Sequence, residues 1–126
     1  MSVEKLKYTK EHEWVRIEGE FAVVGITDYA QGELGDVVFV ELPPAGTKVT
    51  QMSPFGTIEA VKTVADLFAP VTGEVIETNP RIESDPGIIN NDPYGEGWLI
   101  KIRMSDAGEV NTLLSYHDYV PLTKGH

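Results

Sequence analysis

Short runs of β-branched and apolar residues, separated by turn signals, follow one another along most of this chain. Trp14-Val15-Arg16-Ile17 and Phe21-Ala22-Val23-Val24 flank Glu18-Gly19-Glu20, which predicts a hairpin with a three-residue loop. Thr27 or Asp28 can cap a short helix through Tyr29-Ala30-Gln31, Asp28 and Gln31 having capping-box spacing, and Gly32 and Gly35 limit its length. Val37-Val38-Phe39-Val40-Glu41-Leu42 predicts a strand that Pro43-Pro44 stops, and Val49, Phe55 and Ile58 continue a β pattern. Asn79 to Asn91, with Pro80, Pro86 and Gly87, predicts an irregular connection. In Trp98-Leu99-Ile100-Lys101-Ile102-Arg103, Trp98, Ile100 and Ile102 point one way, and Lys101 and Arg103 the other, as in a strand with one wet face. Asp106 and Glu109 have capping-box spacing for a short helix through Leu113-Leu114, and Ser115 caps a turn over Tyr116 to Tyr119. These elements predict a compact antiparallel β domain with small terminal helices.

The most informative stretch is residues 56–77, GTIEAVKTVADLFAPVTGEVIE. Lys62 sits between Ile58-Glu59-Ala60-Val61 and Thr63-Val64-Ala65-Asp66-Leu67-Phe68, both of strand character. Ala69-Pro70 and Thr72-Gly73 then signal turns before the strand-like Glu74-Val75-Ile76-Glu77. A lysine at the bend of a tight hairpin projects into solvent, where another enzyme can reach and acylate it. Ala60 and Thr63 leave room around the amine. Gly73 reads first as an ordinary turn glycine and second as a place of close strand packing. An isolated turn lysine is more often a plain solvated charge. A faint internal echo, a turn and short strand on each side of Lys62, suggests a repeat only weakly.

The chain's 126 residues suit one domain with its own core, and 41% hydrophobic with 24% charged residues is globular composition. No apolar run nears the ~20 residues of a membrane span. The N-terminal MSVEKLKYTKEHEW has no apolar signal core, so a cytoplasmic protein is expected, a processed organellar chain being the alternative. Cysteine is absent, which excludes disulfides and a thiolate nucleophile. A net charge of −10 repels phosphate backbones and argues against nucleic acid as a partner. It also keeps the chain soluble, and in a carrier it would quicken encounters with partners. His12-Glu13 lacks the second histidine of a zinc-protease helix, His117 and His126 show no metal spacing, and no nucleophile elbow or phosphate loop is present. The residues describe a carrier, not an enzyme.

Four ordered blocks carry a resemblance: LKYTKEHEWV, GITDYAQGELGDVVFVELP, EAVKTVADLFAPVTGEV and Pro93-Tyr94-Gly95-Glu96-Gly97-Trp98-Leu99. Together they resemble the H protein of the glycine cleavage system over most of the chain. The resemblance implies a flattened barrel-sandwich hybrid like lipoyl and biotinyl domains, made of two pseudo-twofold halves. It implies a single lipoyl-carrier domain over 1–126 with lipoate attached to Lys62. It implies a carrier that takes an aminomethyl group from the pyridoxal-phosphate glycine decarboxylase (P protein) to the tetrahydrofolate-dependent aminomethyltransferase (T protein). Dihydrolipoamide dehydrogenase (L protein) then reoxidises the arm, and lipoate-attachment enzymes complete the set of partners of an expected monomer. Glu13 in HEW and Asp66 in KTVAD fall on positions where the family's carboxylates meet the loaded cationic arm in a cleft; the competing reading makes both plain solvated acids. Glu11 departs from the serine that many members carry.

Other readings stay open at this point. A biotin carrier sets its lysine between methionines, whereas Val61 and Thr63 flank Lys62. The lipoyl domain of a 2-oxo-acid dehydrogenase typically places Thr-Asp before the lysine, where this chain has Glu59-Ala60-Val61. A lipoate relay that supplies other lipoyl-dependent complexes, and an unmodified binding module, would share these residues.

Overall fold

The computed structural model describes residues 3–123. Its strands are β1 (Lys7–Tyr8), β2 (Glu13–Glu18), β3 (Phe21–Ile26), β4 (Val37–Glu41), β5 (Lys48–Val49), β6 (Pro54–Ala60), β7 (Val64–Phe68), β8 (Gly73–Thr78) and β9 (Ile100–Met104). They form a six-stranded sheet in the order β1-β2-β3-β9-β8-β5 and a three-stranded sheet in the order β4-β6-β7. All neighbouring strands are antiparallel. The protein is thus mostly β, with two sheets packed on a shared core and not closed into one hydrogen-bonded barrel.

Alternation along β2 and β3 decides which side chains enter that core. Val15 and Val24 face each other across one rung and point into it, together with Val75, Ile100 and Ile102 of the same sheet. Ile58, Leu67 and Phe55 meet them from the three-stranded sheet. Trp14 and Val23, of opposite parity, enter a second cluster with Leu6, Tyr8 and Tyr119 on the far face. The Tyr8 and Tyr119 rings stack there with centroids 4.5 Å apart. The six-stranded sheet is therefore buried on both sides over β2 and β3.

Several connections differ from the sequence expectation. Helix α1 (Asp28–Leu34) is capped by Thr27, whose hydroxyl accepts from the Ala30 N–H at 3.2 Å. Asp28 binds the Gln31 side-chain amide instead of closing a capping box. Gly32 does not end α1; Gly35 does, at φ +81, where its N–H donates to Gln31 O. Asn79 to Asn91 holds two short helices, α2 (Pro80–Ser84) and α3 (Ile88–Asn91), not an irregular loop. Asn79 caps α2 with Pro80 at its first position, and Ile82 and Ile89 are buried. Residues Ala107–Thr112 form a 3-10 turn capped by Asp106, but Glu109 turns away from a capping box. Its carboxylate accepts from the N–H and hydroxyl of Thr72 instead. Ser115 caps α4 (Tyr116–Tyr119). Trp98 precedes β9 and packs half-buried on the second cluster. At Gly73 close packing wins over the turn reading: the residue opens β8, and a Cβ there would collide with the carbonyl of Arg103. His126 lies outside the described residues, which hold no cluster of three metal-ligating side chains. No described helix is long and apolar enough to cross a membrane.

Candidate functional site

Strands β6 and β7 pair from Pro54–Phe68 to Glu59–Val64, leaving Val61 and Lys62 at the tip. The Ala60 N–H donates to Thr63 O at 2.8 Å and the Val61 N–H to Asp36 O at 3.0 Å. The second bond ties the tip to the segment that follows α1, so the backbone under Lys62 is held from two sides. Lys62 is exposed. Gly35 lies beside it: a Cβ there would stand 4.0 Å from the lysine Cε, ordinary contact distance, and the φ of +81 is what favours glycine at this position.

Alongside this hairpin, a cleft of about 400 Å³ lies against α1. Ile26, Ala30, Leu34, Ile58, Ala65 and Leu67 give it apolar walls. Its polar lining is acidic: Glu11, Glu13, Glu33 and Asp66, with the rings of His12 and Tyr29 and, among the described residues, no lysine or arginine. Such a cleft is suited to an apolar arm with a cationic end.

The two predicted carboxylates share this cleft but not an environment. Asp66 is exposed on β7. Glu13 is 1% exposed. It shares strand parity with Val15, so alternation turns it inward. The Thr9 hydroxyl donates to Oε1 of Glu13, and the Phe68 N–H donates to Oε2 at 3.2 Å. Burial pushes the Glu13 carboxyl up to about 7, against the lowering effect of these two donors, while Glu11 adds like-charge repulsion. Glu13 is thus not the plain solvated acid of the competing sequence reading, whereas Asp66 keeps the exposure of one.

Other residues that line or support the cleft carry no signal for that role in the sequence pattern alone, Tyr29 and Glu33 excepted. Thr9 accepts at Oγ1 from the N–H groups of Glu11 and Glu13, both at 3.2 Å, while donating to the Glu13 carboxylate. It folds the TKEHE segment back on itself, with His12 at φ +74. His12 Nδ1 lies 2.8 Å from the Tyr119 hydroxyl, which lies 2.7 Å from Thr27 Oγ1. These contacts join the cleft wall to α4 and to the cap of α1. The Tyr29 hydroxyl donates to Glu33 at 2.9 Å, and both residues line the cleft from α1. Their i,i+4 spacing was the available signal, hidden by ending the helix near Gly32.

The glycine cleavage H-protein family profile matches residues 6–126. A glycine cleavage system H protein of Rubrobacter xylanophilus is 58% identical, covering 90% of this chain and 88% of its own. That of Bacteroides fragilis is 54% identical over 92% of both chains. The chain belongs to the glycine cleavage H-protein family. Among solved structures, an H protein from Mycobacterium marinum is similar with a TM-score of 0.86 and 40% identity, covering 94% of this chain and 95% of that one. The match covers both sheets of the fold described above. Membership assigns the chain a lipoyl-carrier role in the glycine cleavage system, alongside that system's other components.

Proposed function

We propose that Lys62 is the lipoylated lysine and that this H protein carries the aminomethyl group of glycine from the glycine decarboxylase to the aminomethyltransferase, with dihydrolipoamide dehydrogenase completing the cycle. The observation that carries this reading is the exposed Lys62 at the tip of β6–β7 beside an apolar, acid-lined cleft. The residues fit the group: a reachable amine, hydrocarbon walls for an aliphatic arm, and carboxylates for a cation. When bound, lipoate supplies a disulfide–dithiol pair that takes up and releases the one-carbon cargo. The chain's own part is to present, shelter and release. The hairpin holds its backbone fixed by the Ala60 and Val61 bonds, which keeps the ordering cost of docking low. Ile58, Ala65 and Leu67 exclude water from one side of the cleft. Asp66 pairs with a cationic arm at the exposed rim, and Glu13, held by Thr9 and Phe68, does so from within. Because burial puts Glu13 near the midpoint of its ionisation at neutral pH, a cation beside it draws it toward the charged form.

Catalysis of the carbon transfers belongs to the partner enzymes, and the chain is a carrier component rather than an enzyme. The test is the intact mass of the native-host protein, followed by glycine–bicarbonate exchange with purified decarboxylase. A lipoyl increment located at Lys62, and exchange that requires it, are expected. An unmodified chain that supports exchange overturns the reading, and a lipoylated chain that serves only other lipoyl-dependent complexes establishes the relay instead.

A further inference from the structure

The four most exposed large apolar side chains among the described residues are Val61 at 71%, Val64 at 62%, Phe39 at 57% and Val38 at 48%. All lie in the three-stranded sheet or at its hairpin tip. The register places Phe39 opposite Glu59 and Glu59 opposite Val64, so these three exposed residues form one rung on the wet face. The next wet rung is Glu41, Thr57 and Asp66. β4, β6 and β7 contain no lysine or arginine, and Glu41, Glu59 and Asp66 make no ion pair among the described residues. Exposed Phe39 and Val64 therefore flank Glu59 in a band of apolar and unneutralised acidic side chains that runs to Val61 and Lys62. Exposed apolar side chains gathered on one face and rimmed by polar ones mark an interaction surface.

We propose that this face is the docking surface for the enzyme that acylates Lys62, and that this enzyme meets it with apolar side chains interspersed with lysine or arginine. The inference rests on the carrier reading of Lys62. Reach selects this occupant. Only a four-carbon stem separates the lysine Nζ from the tip backbone, so the acylating enzyme must press against Val61, Val64 and the rung behind them. Enzymes that act at the far end of an attached arm work at a greater distance. Phe39 also opens onto a groove of about 380 Å³ whose walls combine Pro43, Pro44 and Ile82 with Glu41 and Glu83, which gives a partner lysine or arginine, with its apolar stem and cationic end, a place to insert. In the transfer, lipoate and ATP first give lipoyl adenylate and pyrophosphate. The acyl carbon then bonds to Nζ, AMP leaves, and the amine gives up a proton; nothing is oxidised or reduced.

The experiment is steady-state acylation of the whole unmodified chain by a purified lipoate ligase with lipoate and ATP, read by intact mass. The Phe39→Ser/Val64→Ser double variant is expected to raise KM for the chain about tenfold or more, with kcat changed less than about twofold and melting unchanged. Glu59→Lys is expected to raise KM and to flatten its salt dependence. Ile17→Ser, a 38% exposed apolar residue on the other sheet, is expected to leave acylation unchanged. A wild-type KM for the double variant overturns the proposal. So does normal acylation with lost decarboxylase exchange, which gives the face to the decarboxylase. Normal acylation with dissociation of a wild-type dimer in sedimentation gives it to a second copy, again overturning the proposal. A wild-type chain that gains no lipoyl mass at all is a different failure, that of the carrier reading itself.

Discussion

The two sheets carry their charges and apolar side chains in opposite ways. On the six-stranded sheet, Arg16, Lys48, Lys101 and Arg103 each face a carboxylate, and β2 and β3 bury both faces. On the three-stranded sheet the acids form no ion pair among the described residues, apolar side chains stand in solvent, and the strands converge on one lysine. The first arrangement uses its side chains for cohesion. The second rests its inner face, Ile58 and Leu67, on that support and leaves its outer face for other molecules. Substitutions should accordingly separate into those that cost function without stability and those that do the reverse.

The sharpest way to break the comparison is Lys62→Arg. Arginine keeps the charge and much of the length but cannot form the acyl amide. No lipoyl mass and no glycine–bicarbonate exchange are expected, with the melting curve within about 0.5 kcal/mol of wild type. A Lys62→Arg chain that still carries cargo removes the tip from the mechanism.

Next in size is Ile102→Ala in the six-stranded sheet, where the side chain is fully buried. A loss of about 2–5 kcal/mol in urea unfolding is expected, while the fraction that remains folded is still lipoylated. A loss below about 1 kcal/mol would mean that β9 does not support the core as its burial indicates.

Glu13 sits where the two regions meet, and pH measures its position. Its carboxyl is raised to about 7 in the folded chain from the ordinary 4.5. The native state therefore holds a proton that the unfolded state has released. Its contribution to stability is fully present below the unfolded pKa and is lost as pH rises through about 7, at most about 3 kcal/mol. Relative to Glu13→Gln, wild type should lose stability by up to that amount between about pH 4 and 8. Parallel pH curves for the two proteins would place Glu13 in water.

The smallest effect concerns the rim. In protein first lipoylated to completion and then loaded, Glu13→Gln with Asp66→Asn should speed non-enzymatic loss of the aminomethyl cargo by about two- to fivefold, the scale of a weak ion pair. Decay at the wild-type rate returns both residues to structural or surface roles.

Much of the fold was legible because turn and strand chemistry are local. Proline stops after β4, the β2–β3 turn at Gly19 (two residues long and not the predicted three, because Glu18 pairs with Phe21), and the caps at Thr27 and Ser115 all lie within a few residues of what they control. Misreadings arose where a distant group displaced a local one. Glu109 has the spacing of a capping box, but Thr72 offers it two donors. The Asn79–Asn91 segment looked broken at Pro80 and Pro86, yet burial of Ile82 and Ile89 offsets the cost of nucleating two very short helices. At Glu13 the parity shared with Val15 was visible along β2; the depth of burial was not, because Phe68 and the hairpin that cover it lie 55 residues away.

The succession of strand-forming runs and turns, the acidity of the chain, and a lone lysine between two such runs are legible in the amino acids alone, because backbone preference and charge are carried residue by residue. Through the four blocks the sequence also pointed to the family. The tertiary structure decided what those residues stand beside. Only packing brings Glu13, Asp66 and Glu33 from three separate elements to one cleft, and only strand register lines Phe39, Glu59 and Val64 into a face ending at Lys62. Contacts between residues far apart in the chain depend on which faces a shared core turns inward, and no local preference encodes that.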